Sequence, residues 1–189
     1  MPYDRSILQC TGACGDGQPM MRTLVFAALV LAACSRPDAT RCDLSLTRDL
    51  AFTSAEAHDA ITVRAFGPSC DMAIGVYEIH TEDGHPIWAW TAPLPRAFGD
   101  VFPAGEPDAM REFLDRWAQP SLATTDQAPD WPLLAPGQTT LDRLTYDDIR
   151  ARALPMLCHA SATARETCVF WEPAAGGAGH FFERDVEQS

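Results

Sequence analysis

Lysine and asparagine are both missing from the 189 residues, so all 14 basic side chains are arginine. Both amino acids have AT-rich codons, and a GC-rich genome accounts for their loss without a functional reason. Positive charge is outweighed as well: 26 acidic residues leave a formal net charge of −12 and a pI near 4.6. Tracking a phosphate backbone requires a basic stripe that releases counterions, so nucleic acid is excluded as the expected partner. The same balance excludes docking on anionic lipid through a polybasic patch, so any membrane attachment has to come from an anchor. Long apolar runs are also absent. Leu24 to Ala33 is about half the ~20 residues that a spanning helix needs. The chain has no Gly-x-Ser-x-Gly elbow, no Ser-x-x-Lys and no His-Glu-x-x-His, which removes the familiar hydrolase and metalloprotease signatures. Gly176-Gly177-Ala178-Gly179 has neither the dinucleotide-loop spacing nor a following Lys-Ser/Thr, and reads as a flexible loop. No cofactor is implied.

What is present near the start is an export pattern. Met20-Met21-Arg22-Thr23 is a short cationic segment, Leu24 to Val30 is apolar, and Leu31-Ala32-Ala33 puts small residues before Cys34. Leu31-Ala32-Ala33-Cys34 resembles the lipobox of bacterial lipoproteins. That resemblance implies cleavage before Cys34 and acylation of its thiol, with the lipid bilayer as partner. Buried acyl chains contribute ~0.8 kcal/mol per CH₂, so two or three of them hold a domain persistently. Ser35 after the cysteine implies, by the same resemblance, the periplasmic face of the outer membrane. Residues 1–19 carry Asp4, Asp16, Cys10 and Cys14 where a signal should be short and basic, which suggests translation from Met20 or Met21. The expected organisation is an upstream extension at 1–19, a signal peptide at 20–33, a lipidated tether at 34–41 and one globular domain at 42–189. From Ser35 to Arg41 the tether is seven residues, at most about 25 Å when extended.

Beyond the lipid-bearing Cys34, the mature chain has Cys42, Cys70, Cys158 and Cys168, an even number suited to two disulfides in an oxidising periplasm. Three connectivities are open. Cys42–Cys70 and Cys158–Cys168 are favoured because each pair flanks locally connected structure. Zinc sites use tighter pairs such as Cys-x₂-Cys, so no metal is expected at Cys158-His159 and Cys168.

Residues Cys42 to Ala92 alternate apolar and polar positions, which predicts three or four strands. The clearest hairpin runs from Met72 to His80, turns through Glu82-Asp83-Gly84 and returns from Pro86 to Trp90. With Gly84 left-handed, Thr81 faces His85, Ile79 faces Ile87 and Tyr77 faces Ala89, which puts Trp88 and Trp90 on the face of Glu78 and His80. Both faces are largely apolar, so the hairpin is expected at the centre of its sheet, covered on each side. Pro107 opens a helix whose Met110, Phe113, Leu114 and Trp117 form one apolar stripe, with Arg111–Asp115 and Glu112–Arg116 as charge pairs on the other side. Thr145-Tyr146-Asp147-Asp148 predicts a second, threonine-capped helix ending before Pro155. Thr167 to Glu172 and His180 to Arg184 predict a terminal hairpin. The expected fold class is α+β: an antiparallel sheet with two principal helices packed on it and a C-terminal β-hairpin.

Trp88-Ala89-Trp90-Thr91-Ala92-Pro93-Leu94-Pro95 is the stretch most suggestive of function. Trp88, Trp90 and Leu94 form either part of the core or an apolar lip that contacts a protein or small ligand. Glu78 and His80, two apart on one face, offer an acid–imidazole pair for general acid–base work. His80 and His85, with Glu82 and Asp83 between them, differ in parity and therefore point to opposite faces. The expectation is a non-catalytic binding or accessory module of the envelope. A small periplasmic enzyme using Glu78 and His80 is the alternative.

Overall fold

The computed structural model describes residues 41–99, 102 and 106–186; the expected extension, the expected signal segment and Cys34 lie outside them. The alternating first half folds into four strands, β1 (Cys42–Leu50), β2 (Asp59–Gly67), β3 (Ile74–His80) and β4 (Pro86–Pro93), each antiparallel to the next. Register is unbroken from Cys42 opposite Gly67 to Leu50 opposite Asp59. One face therefore collects Leu44, Leu46, Ile61, Val63, Ala65, Tyr77 and Ile79, while Ser45, Thr47, Arg64 and Phe66 point outward. The β1–β2 turn is held by buried Asp59, whose carboxylate accepts from the backbone N–H of Phe52 at 3.1 Å and of Thr53 at 2.7 Å. A 3-10 turn at Cys70–Met72 joins β2 to β3, and the Cys42–Cys70 disulfide ties it to the start of β1.

Two helices follow, α1 (Leu94–Phe98) and α2 (Pro107–Trp117). As expected, α2 starts on Pro107 and buries Met110, Leu114 and Trp117. The second half is a second antiparallel sheet in the order β5 (Ser121–Thr124), β6 (Pro155–Ala162), β7 (Arg165–Glu172) and β8 (Gly177–Asp185). Between β5 and β6 lies α3 (Arg143–Ala151), capped by Asp142 and not by Thr145: the Asp142 carboxylate accepts from the Thr145 N–H at 3.0 Å and its hydroxyl at 2.9 Å. Those bonds hold the Asp142 carboxyl below the usual carboxylate range.

The expected α+β class is thus overturned. Among the described residues two four-stranded antiparallel sheets dominate, and the longest helix has 11 residues. The predicted terminal hairpin exists as β7 and β8, but it is half of a sheet and not an appendage. What hid the second sheet is β6, which reads Met156-Leu157-Cys158-His159 with all four residues buried. A strand covered on both faces shows no alternation. Leu157 joins the core shared with the first sheet, where Leu94, Phe98 and Trp117 also pack. Met156 and Cys158 join a second core with Phe170, Phe181, Phe182, Tyr146 and Ile149.

Candidate functional site

The β3–β4 hairpin decides where the tryptophans go. Its turn forms as the sequence predicts: Gly84 has φ 79°, and the Thr81 N–H donates to the His85 carbonyl at 2.9 Å. Beyond the turn, however, a bulge intervenes. His80 stands opposite Pro86, while Ile79 stands opposite Trp88, so Ile87 is an extra residue and every later pair shifts by one. A shift of one exchanges the faces of a strand. Tyr77 therefore faces Trp90 rather than Ala89, and Trp88 and Trp90 lie on the inner face with Tyr77 and Ile79. Leu94 is fully buried against Gly75 and Trp117. Of the two readings of Trp88, Trp90 and Leu94, packing between the sheets is the one found, not an apolar lip, and β4 is an edge strand rather than a centre among the described residues.

At the meeting of the two sheets these side chains enclose His159. Its imidazole stacks on the Tyr77 ring at 4.2 Å and 14°, and its Nε2 accepts the Trp88 indole N–H at 3.2 Å. Nε2 must then be unprotonated, so Nδ1 carries the hydrogen and donates to the Ala160 carbonyl at 3.1 Å. Burial lowers the His159 pKa to about 4, against a smaller upward pull from the bond to Ala160. Burial likewise pushes the Tyr77 phenol far above its ordinary value, and its hydroxyl has no partner among the described residues. The Trp117 indole donates to the Ala160 carbonyl at 2.8 Å. A neutral imidazole with both nitrogens engaged and almost no solvent contact joins the sheets; it offers no free lone pair to a substrate.

Glu78 and His80 occupy the outer face of β3. Glu78 lies between Thr62 and Ala89, and His80 between Ala60 and Pro86. Their expected neighbour Trp88 is on the opposite face. Among the described residues no three His, Cys, Asp or Glu side chains gather where they could hold a metal ion. Cys158 and Cys168 stand directly opposite each other on β6 and β7 and form a disulfide, as do Cys42 and Cys70.

A concavity lies elsewhere. A cleft of about 530 Å³ opens between β1 and α2, lined by Leu44, Ser45, Leu46, Arg111, Glu112 and Leu114, with Asp115 and Arg116 at its margin. Because β1 pairs only with β2, one edge of its backbone is free of strand partners among the described residues. The apolar floor comes from inward-facing residues of β1, and the polar wall from the exposed side of α2. Arg48 of β1 pairs with Asp115, and Arg111 pairs with Asp108, so the expected Arg111–Asp115 pair is replaced by one that crosses from helix to strand. The leucine alternation and the helix charges were both visible in the sequence. Nothing in it placed them side by side.

No family model, curated protein or solved structure matches the chain.

Proposed function

We propose that this protein is a bacterial envelope lipoprotein, anchored through Cys34 at the periplasmic face of the outer membrane, whose domain holds an extended peptide segment of another envelope protein without catalysing a reaction. The observation that carries the binding role is the cleft at the free edge of β1. An open edge offers unpaired N–H and C=O groups that an added strand satisfies, and a flanking pocket receives every second side chain. Leu44, Leu46 and Leu114 supply the apolar surface, while Arg111, Glu112 and Arg116 supply polar contacts at the rim. The anchor rests on the Leu31-Ala32-Ala33-Cys34 sequence and its placement after an apolar segment. The absence of a catalytic motif in the sequence and the engagement of both His159 nitrogens favour binding over chemistry.

Selection of random decapeptides on the folded domain, followed by calorimetry, tests the reading. Enriched peptides are expected to alternate apolar and polar residues and to lose about tenfold or more in affinity when the exposed Glu112→Trp change fills the cleft. Enrichment of peptides indifferent to Glu112→Trp, or no enrichment, rejects the cleft as the binding site.

A further inference from the structure

The outer face of the first sheet changes character along its strands. At the end where the chain enters, Asp43, Phe66, Ile74 and Pro93 stand side by side across four strands. Phe66 and Ile74 are each 40% exposed, and Met72, in the turn at the same end, is 59% exposed. The next row holds Arg64 beside Val76. Further along come Thr62 and Glu78, then Ala60 and His80, and beyond them the turn with Glu82 and Asp83. From Phe66 to Ala60 is about 20 Å at ~3.4 Å per residue. Exposed apolar side chains thus cluster at one end of this face, with acids at the other.

We infer that Phe66, Met72, Ile74 and Pro93 form a bilayer-contact face that seats the domain, tether end down, on the membrane that holds Cys34. This rests on the reading of Cys34 as the lipid anchor. Two observations select a bilayer as the occupant. The first is the position of the tether. Seven residues separate Cys34 from Cys42, and Cys42 lies opposite Gly67, next to Phe66 in β2. A leash of at most about 25 Å confines this end of the sheet to the lipid surface, whichever way the domain rolls. The second is the charge order. Arg41, next to Cys42, and Arg64 of the sheet stand at the apolar end, where phosphate headgroups accept them, and Glu82 and Asp83 are held away from anionic lipid. Asp43 stands in the row, Asp71 lies in the turn beside it and Asp38 belongs to the tether sequence; these are the acids the face has to accommodate. The Cys42–Cys70 disulfide fixes the Met72 turn to the strand that receives the tether, so the face is presented as a rigid unit.

Met72 is itself the reporter. Met110 and Met156 are 0% and 3% exposed, so peroxide oxidises Met72 first among the described methionines. The protein from Cys34 onward is coupled through its one unpaired thiol to a maleimide phospholipid in phosphatidylethanolamine–phosphatidylglycerol vesicles, and Met72 oxidation is followed by mass spectrometry. Oxidation is expected to be about threefold or more slower on vesicles than in solution, and Phe66→Ser with Ile74→Ser should restore the solution rate. Equal rates on vesicles and in solution overturn the contact face. Protection that grows with protein concentration in solution, without vesicles, overturns it in favour of a second copy of the chain. Chemical coupling makes the result independent of whether cells acylate Cys34; acyl-chain labelling of the protein made in cells reports that separately.

Discussion

The indole N–H of Trp88 on β4 donates to Nε2 of His159 on β6 at 3.2 Å, a hydrogen bond that crosses from one sheet to the other between residues 71 positions apart. Because Nε2 can accept only while it lacks a proton, the junction between the sheets is tied to the protonation state of one buried imidazole.

Acid should therefore weaken the fold before the carboxylates titrate. The folded pKa of His159 is lowered to about 4, below the ordinary 6.5, so well above pH 6.5 neither folded nor unfolded state carries the proton and stability is complete. As pH falls from about 6.5 to about 4, the unfolded chain binds a proton that the folded chain refuses, and about 3 kcal/mol is lost. Half-buried His180, whose pKa is also lowered by burial, adds a slope of the same sign. Denaturant titrations across this window should show the loss, and His159→Phe should flatten most of it while costing about 1–3 kcal/mol at pH 7 through the unsatisfied indole N–H. An unchanged slope in His159→Phe would reject this account.

The two disulfides close loops of different length, with separations of 28 for Cys42–Cys70 and 10 for Cys158–Cys168. Chain entropy predicts about 3.5 kcal/mol for the first and about 2.7 for the second. Paired serine replacements compared by denaturant midpoint should follow that order. The reverse order would mean that the cross-strand bond on β6 and β7 does more than restrict the unfolded chain.

Leu94 lies so close to Gly75 that a Cβ added there would run into its Cδ2, with the Trp117 ring 3.1 Å away. Gly75→Val should destabilise the protein by about 1–3 kcal/mol through overpacking. Leu94→Ala, destabilising alone by about 2–5 kcal/mol, should offset part of that in the double variant. Additive losses in a double-mutant cycle would show that the two residues do not share the space.

Cys34→Ser should abolish incorporation of labelled fatty acid and release the protein from the membrane fraction, with the thermal midpoint of the domain unchanged. Continued labelling would reject Cys34 as the acylated residue.

Elements whose faces differ were legible. β1 and β2 alternate because one side meets the core and the other meets water, and α2 shows its apolar stripe for the same reason. The hairpin turn was legible through Gly84, whose positive φ suits a residue without a Cβ. Cys42–Cys70 and Cys158–Cys168 were the pairs favoured among three connectivities, and both form. By contrast, β6 was invisible as a strand, because burial on both faces erases periodicity. The cap of α3 was misplaced by three residues, since Asp142 and Thr145 are both good caps and only the bonds between them show which one serves.

The sequence by itself determined the acidic charge balance and the strands whose faces part core from solvent. These are local or compositional properties, readable within a few residues. Tertiary structure alone decided that Trp88 and Trp90 point inward, that His159 is sealed beneath them, and that the β1 edge forms a cleft with α2. The bulge at Ile87 is the physical reason for the first of these. One residue inserted on β4 exchanges the faces of all that follow, and whether it is inserted depends on a second sheet, distant in sequence, that gives the indoles something to pack against.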